Sequence, residues 1–291
     1  MDGVFSFCVR FSGIVIRFTL PTALTLPDCF AALRCADTET PDVEYQVCLL
    51  TSPLCPGTAP VHQSGAATIY ATDKGWLRIY SALTAADGCQ VACLLRPDGK
   101  NILYYPASRW DHYREYWHCT HLLCGEAMLL QHNAFLLHSS VVMVNGKVVL
   151  FSGPSGAGKS TQARLWEQFA GAKIINGDRC VVMKKEDGFY GGGSPWCGTS
   201  GIYDGTQAPI AGIILIKKGT ENRLRRLGFE AFVPLFSQTT LNSWDSSFME
   251  TVSGLHSQLL EQVSVYELEC RPCREAVELV YDTLFGKEIT P

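Results

Sequence analysis

Short runs of hydrophobic residues separated by turn signals dominate the first 110 residues of the chain. Runs of this length, interrupted by sequences such as Asp73-Lys-Gly75, are typical of β-strands. Pro97-Asp-Gly99 lies between two such runs and predicts a β-hairpin. We therefore predict a β-rich N-terminal domain over residues 1–110, built as a small antiparallel sheet. Its predicted strands span residues 4–9, 14–20, 45–50, 67–71, 76–80, 91–95 and 102–105.

The spacing of hydrophobic residues becomes helical after this segment. Residues 111–135 are predicted to form a helical connector, and residues 136–291 a second domain. In that domain, Asn145-Gly146 joins two apolar runs and predicts a two-residue hairpin turn. Strands are predicted over residues 140–144, 147–151 and 174–175, and helices over 162–170, around 248–259 and over 274–285. We therefore predict that the second domain has an α/β (α+β) fold with a mixed sheet.

A phosphate-binding loop of the pattern G-x-x-x-x-G-K-[ST] lies between the predicted hairpin and the helix that follows it. Its glycines let the backbone curl so that consecutive N–H groups point at phosphate oxygens. Lys159 supplies a charge for the β- and γ-phosphates, and the Ser160 hydroxyl is a ligand for Mg²⁺. We therefore predict that the chain binds ATP and Mg²⁺. The predicted nucleotide-binding residues are Gly153, Pro154, Ser155, Gly156, Ala157, Gly158, Lys159, Ser160 and Thr161.

Composition limits the partners and the compartment. Hydrophobic residues make up 47% and charged residues 18% of the chain, as in ordinary soluble globular proteins. A net charge of −4 provides no basic field for nucleic acid or an anionic membrane, so neither partner is expected. The 13 cysteines are an odd number scattered among apolar residues, which favours a reducing compartment. We predict a cytoplasmic protein, and its oligomeric state stays open.

Two clusters of cysteine and histidine leave alternatives open. Cys270-Arg-Pro-Cys273 has the spacing of a redox pair or half of a zinc site, but it is also a turn in which Pro272 starts a helix. The second cluster lies on an apolar helical stretch, where a metal site and ordinary core packing both explain the pattern. Its members are His118, Cys119, His121 and Cys124.

An antiparallel hairpin that leads into a mid-chain phosphate loop resembles HPr kinase/phosphorylase and its phosphoenolpyruvate carboxykinase relatives. Leu137-His138-Ser139-Ser140 matches the histidine that the family places at the start of the hairpin. Asn176-Gly177-Asp178-Arg179 matches the family's Asp-Asp-Arg segment, with Gly177 in place of the first aspartate. The chain is similar to divergent HPr-kinase-like proteins, some of which phosphorylate seryl groups on peptides. Residues 191–198 replace the protein-recognition signature of HPr kinase.

The resemblance implies an ATP-dependent kinase, a phosphotransferase to an alcohol group. Lys159, Asp178 and His138 are the expected catalytic residues, and Ser160 and Asp178 the expected metal ligands. From the residues alone, Asp178 is also compatible with a turn aspartate, and His138 with a structural histidine. In the family, the first aspartate contributes to acid–base and metal chemistry, so its absence here argues against a reversible, phosphorolytic reaction. The expected acceptor is a serine of a peptide or protein.

Three alternatives to a protein kinase stay open at this stage. They are a nucleotide-binding regulator, a small-molecule polyol kinase and a carboxykinase. Gly191–Gly193 is predicted to be a mobile segment that closes over the acceptor together with Trp196. Arg223, Arg225 and Arg226 either stabilise the transferred phosphate or lie on a solvated turn and helix face.

Overall fold

The strands in each half of the chain form one mixed sheet, and short helices connect some of these strands. The result is an α+β fold rich in strands. The computed structural model describes residues 4–115 and 119–286. They divide into two units, with the boundary between Gln131 and His132 and with Phe11–Gly13 counted in the second unit. His118, which belongs to one of the cysteine and histidine clusters, lies outside the described residues, as does the side chain of Cys119.

The first unit contains a nine-stranded sheet with the order β3-β1-β2-β4-β9-β8-β7-β6-β5. The strands are β1 (Phe5–Phe11), β2 (Ile14–Leu20), β3 (Arg34–Cys35), β4 (Val43–Leu50), β5 (Pro60–Gln63), β6 (Thr68–Thr72), β7 (Gly75–Thr84), β8 (Gln90–Leu95) and β9 (Lys100–Pro106). The helices are α1 (Asp28–Ala32), α2 (Trp110–Glu115) and α3 (Gly125–Leu130), with short 3₁₀ turns at Ala107–Arg109 and Cys119–His121.

The prediction of an antiparallel sheet in this unit is wrong in two places. The hairpin at Pro97-Asp-Gly99 is confirmed, because β8 and β9 pair antiparallel around it. In contrast, β4 pairs parallel with both β2 and β9. The chain between β2 and β4 contains α1, so it is long enough to return the chain to the same end of the sheet. Pairing across such long connections leaves no local sequence signal.

Among its described residues, the second unit contains an eight-stranded sheet and four helices. Its strands are β10 (Ala134–Val144), β11 (Lys147–Ser152), β12 (Lys173–Asn176), β13 (Arg179–Lys185), β14 (Gly188–Gly192), β15 (Gln207–Lys218), β16 (Arg223–Leu227) and β17 (Val265–Cys270). Its helices are α4 (Lys159–Ala170), α5 (Phe232–Phe236), α6 (Ser246–Gln262) and α7 (Arg274–Phe285), with a 3₁₀ turn at Phe229–Ala231.

The strand pairings of this sheet form a closed ring. The order β11-β10-β13-β14-β15 returns to its start because β15 also pairs parallel with β11, and β17 and β16 continue outward from β15. The predicted hairpin is confirmed: Val144 pairs with Lys147, and Asn145 and Gly146 both have positive φ, 50° and 70°. These angles suit the mirror-image turns that match the twist of a hairpin.

Three of the helices follow the hydrophobic pattern of the sequence. The predicted stripe of α6 is buried, at Phe248, Val252, Leu255 and Leu259. The Asp245 carboxylate accepts from Phe248 N at 3.0 Å and caps this helix. On α4, Trp166 packs edge-on against Phe151 of β11, and both belong to one core cluster with α7. That packing fixes the helix after the phosphate loop against the sheet. No helix in the described ranges is both long and apolar enough to cross a bilayer.

The imidazole of His256, on α6, lies buried in the second unit. Its Nδ1 donates to Val252 O at 2.9 Å, and its Nε2 lies 2.9 Å from Thr239 Oγ1. The ring stacks on Phe135 with centroids 4.2 Å apart. Burial lowers the pKa of His256 from 6.5 to about 4, so this histidine is neutral at physiological pH.

We expect the free energy of unfolding to fall as the pH is lowered from 6.5 to about 4. In this window the unfolded chain takes up a proton at His256 that the folded chain does not, a difference of about 3 kcal/mol at the acid end. Urea denaturation at several pH values measures the effect. The variant His256→Gln should be less stable overall but should show a flatter pH dependence. Equal slopes in the two proteins would assign the acid sensitivity to other groups.

Candidate phosphate-binding and catalytic site

The loop between β11 and α4 has the backbone shape of an anion-binding turn. Three of its glycines, Gly153, Gly156 and Gly158, have positive φ angles of 143°, 76° and 112°, a region that side chains disfavour. Gly158 is the N-cap of α4 and has no side chain to accept from the first N–H groups of the helix. Those N–H groups and the positive end of the helix dipole are therefore available to a phosphate.

Lys159 is folded back over this loop. Its Nζ donates to Gly153 O at 2.9 Å and to Pro154 O at 3.1 Å. Burial lowers the pKa of the Lys159 ammonium, Asp178 raises it, and Arg179 lowers it further. The lysine that the motif assigns to the phosphates thus lies across the loop and within the electrostatic field of Asp178.

Asp178 and His138 meet because the last residue of β12 and the first residue of β13 pair with β10 in the same register. Asn176 pairs with Val141 and Arg179 pairs with His138, so Gly177 and Asp178 lie opposite two serines of β10. His138 Nε2 is 3.2 Å from Asp178 Oδ1. Burial lowers the pKa of His138, Lys159 lowers it further, and Asp178 opposes both effects. The imidazole is therefore neutral near pH 7, and its Nε2 lies close to the Asp178 carboxylate.

The turn that holds Asp178 is formed by Asn176. The buried side chain of Asn176 accepts from Asp178 N and Arg179 N through Oδ1, each at 2.9 Å. Its Nδ2 donates to Ser194 O at 3.1 Å. Because Asn176 supplies the side-chain acceptor of this turn, the Asp178 carboxylate is not needed for it. The carboxylate instead faces His138 and the Arg179 guanidinium, whose Nε is 3.6 Å from Oδ2.

Gly177 takes the place of the first aspartate of the Asp-Asp-Arg segment in the predicted resemblance, and the structure leaves no room for a side chain there. A Cβ at Gly177 would lie 2.4 Å from Ser200 Cβ. Gly198 lies close to Asp178 in the same way, since a Cβ there would be 2.9 Å from Asp178 Cβ. Residues 197–202 therefore pack against the turn that carries Asp178, and this packing requires glycine at position 177.

A cavity of about 420 Å³ brings these groups together. Among the predicted site residues, it is lined by His138, Ser155, Gly156, Gly158, Lys159, Ser160, Thr161 and Asp178. Gly153, Pro154 and Ala157 line a separate cavity on the same loop. The first cavity is also lined by residues that were not among the predicted site residues, namely Ser140, Ala163, Arg164, Ile174, Gly177, Cys197, Thr199, Ser200 and Ile202. Arg164 lies one helical turn after Ser160. Because residues at this spacing share one face of a helix, the sequence alone could have indicated that Arg164 lies near the site.

The prediction that Gly191–Gly193 forms a mobile flap is wrong. Gly191 and Gly192 are buried residues of β14, paired with β13 and β15. A Cβ at Gly191 would lie 2.9 Å from Val148 Cγ2, and one at Gly193 would lie 1.7 Å from Asp204 O. These glycines allow close packing between strands. Residues 197–202 line the cavity instead, and Trp196 is not among its lining residues.

The remaining candidates lie away from this cavity. Arg223, Arg225 and Arg226 belong to β16, a strand at the sheet edge, in place of the predicted turn and helix face. The thiols of the C-x-x-C segment have different polar partners: Cys270 Sγ accepts from Gln162 and Cys273 Sγ from Asn222, each at 3.2 Å. Within the described residues, no three potential metal ligands of the His, Cys, Asp and Glu types come together.

Comparison with known proteins gives little to extend this picture. No protein-family model matches the chain, and no curated protein matches it. The chain has a loose similarity to the structure of the Hpr(Ser) kinase/phosphatase from Coxiella burnetii, with 13% sequence identity over 51% of this chain and 87% of that chain. The TM-score of 0.29 is too low to support a conclusion on fold or activity. A function for this chain is therefore inferred from the residues of its own site.

Proposed function

We propose that this chain is an ATP- and Mg²⁺-dependent kinase that transfers the γ-phosphoryl group to a hydroxyl, with a serine of a peptide or protein as the acceptor. The observation that carries the proposal is one cavity lined by Lys159, Ser160, His138 and Asp178. Phosphoryl transfer needs positioned cations and amides around the triphosphate and a carboxylate near the attacking hydroxyl. The motifs shared with HPr kinases support a seryl acceptor.

The phosphate loop would bind the triphosphate through backbone N–H groups and Lys159. The lysine would exchange its two hydrogen bonds to loop carbonyls for bonds to phosphate oxygens, which charge assistance strengthens. Arg164 lines the same cavity from the exposed side of α4 and adds a second positive charge.

The site also fits a magnesium ion. Ser160 offers a hydroxyl and Asp178 a carboxylate in the same cavity, and both are the hard oxygen ligands that Mg²⁺ prefers. The ion would neutralise charge on the phosphates during transfer. Asp178 would hold it either directly or through water.

Asp178 would also accept the proton of the acceptor hydroxyl. As the acceptor oxygen bonds to the γ-phosphorus, the bond from that phosphorus to the β,γ-bridging oxygen breaks, and the hydroxyl proton passes to the carboxylate. Neutral His138, whose Nε2 is 3.2 Å from Oδ1 of Asp178, would orient the carboxylate. His138 thus acts through Asp178 as a positioning residue.

Transfer of radiolabel from ATP tests the proposal. The purified chain, Mg²⁺ and γ-labelled ATP are incubated with a panel of seryl peptides, the same peptides with alanine for serine, and a panel of polyols. We expect label in seryl peptides and none in the alanine controls. Label in polyols alone would identify a small-molecule kinase. ATP binding without label in any acceptor would contradict a kinase and favour a nucleotide-binding regulator.

A further inference from the structure

The phosphate loop borders a second cavity, which none of the proposed chemistry uses. Its volume is about 660 Å³, and Ser155 and Gly156 line both this cavity and the one that contains Asp178. Loop residues 153–157 form one wall. The other walls come from the end of β15, from β16 and β17, and from residues 230–238. A ligand on the loop can therefore extend into either cavity.

The second cavity combines buried apolar side chains with paired charges. Leu215, Ile216 and Leu227 line it and are each at least 92% buried, at 7%, 5% and 8% exposure. Three cations, Lys217, Lys218 and Arg225, and two carboxylates, Glu230 and Glu267, also line it. Lys217 Nζ is 2.6 Å from Glu267 Oε2, and Arg225 reaches Glu267 at 3.4 Å and Glu230 at 3.5 Å. The hydrogen bond from Lys217 lowers the pKa of Glu267, so this carboxylate is ionised at neutral pH.

The apolar walls and the carboxylates of this lining suit a flat, hydroxyl-bearing group such as a nucleoside. Apolar walls can enclose the faces of a nucleobase, and the Arg225 guanidinium can stack on one. Carboxylates accept hydrogen bonds from ribose hydroxyls, as in dinucleotide-binding folds. Lys217 and Arg225 are paired with these carboxylates, which offsets much of the positive charge of the lining.

We infer that this second cavity binds the base and ribose of the nucleotide whose phosphates lie on the loop. The inference rests on the proposed function, which places the γ-phosphate beside Asp178 and His138 in the first cavity. With the transferred end of the nucleotide there, the nucleoside extends to the opposite side of the loop. The part of the first cavity that the phosphates do not fill, whose lining includes Arg164 and Ser200, is then left for the acceptor.

Filling the second cavity without touching the loop tests the inference. Ser237 is an exposed residue of its lining, and Ser237→Trp places a large ring there. Val233, one helical turn earlier, is 72% exposed and is not among the lining residues, so Val233→Trp is the matched control. Isothermal titration with Mg-ATP and with Mg-tripolyphosphate separates nucleoside binding from phosphate binding.

We expect Ser237→Trp to weaken ATP binding at least about tenfold while tripolyphosphate binding stays unchanged, because only the nucleoside loses its site. Val233→Trp should bind both ligands as the parent does. ATP binding unchanged in Ser237→Trp, or a parent that binds ATP no more tightly than tripolyphosphate, would overturn the inference. A parent that binds neither ligand would instead defeat the proposed function, and the nucleoside site with it.

Photolabelling of the parent gives a readout that does not depend on a variant folding correctly. With 2-azido-ATP and Mg²⁺, mass spectrometry should find the label on peptides containing residues 215–218 or 225–238. Label confined to residues 197–202 would place the base in the first cavity and overturn the inference. An excess of ATP should remove the label, which identifies it as site-specific.

Discussion

Replacing Lys159 with alanine is expected to lower the transfer rate by about 10³-fold or more and to weaken ATP binding by about tenfold to a hundredfold. Lys159 is the cation of the phosphate loop, and charged hydrogen bonds to the β- and γ-phosphates strengthen as the phosphoryl group moves. ATP titration and single-turnover transfer to the acceptor found by radiolabelling measure the two effects.

A matched control for this variant is Lys147→Ala. Lys147 is an exposed lysine at the start of β11, the strand that leads into the loop. We expect Lys147→Ala to bind and turn over ATP as the parent does. Because the Lys159 ammonium also bonds to Gly153 O and Pro154 O, thermal unfolding of both variants must accompany the kinetics. Unchanged turnover in a folded Lys159→Ala protein would remove the phosphate-loop mechanism.

Replacing Asp178 with asparagine should affect the chemistry much more than the binding. Asparagine keeps the size of the side chain and can still accept from His138, but it loses the negative charge and the basicity. We expect ATP affinity within about tenfold of the parent and a transfer rate lower by about 10²-fold or more, as for a lost general base. The measurements are ATP titration and single-turnover phosphorylation.

Asp187→Asn serves as the control for the Asp178 variant. Asp187 is an exposed aspartate before β14 that accepts from Tyr190, a bond that asparagine can also accept. It should leave both affinity and rate unchanged. If Asp178→Asn instead loses ATP affinity while the rate at saturation stays high, Asp178 is a ground-state metal ligand. The general base would then be sought elsewhere, with His138 as the next candidate.

Local signals in the sequence predicted the elements that carry the phosphate loop. Asn145-Gly146 fixed the hairpin because its two residues tolerate positive φ. The last helix was predicted with both of its ends, since Pro272 precedes Arg274 and Gly286 follows Phe285. Such signals depend only on neighbouring residues, so a single sequence reveals them.

The parts that could not be predicted depend on residues far apart in the chain. The packing of Ser200 against Gly177 and the parallel pairing of β4 with β9 have no local signature. Glycine itself is ambiguous, because it serves both flexible segments and close backbone packing. Gly191 and Gly192 were assigned to the first class and belong to the second, since they bring β14 close to its neighbours.

The closed ring of strand pairings has a consequence for how such a protein diversifies. The strand that leads to the phosphate loop and the strand that follows Asp178 are both members of the ring, so neither can shift without breaking hydrogen bonds with two neighbours. These pairings hold the distance between the phosphate loop and the Asp178 carboxylate when residues elsewhere in the chain are substituted. Residues 197–202 lie outside the strands of the described residues. If the chain is the proposed kinase, substitutions there would alter acceptor preference without moving the loop or Asp178.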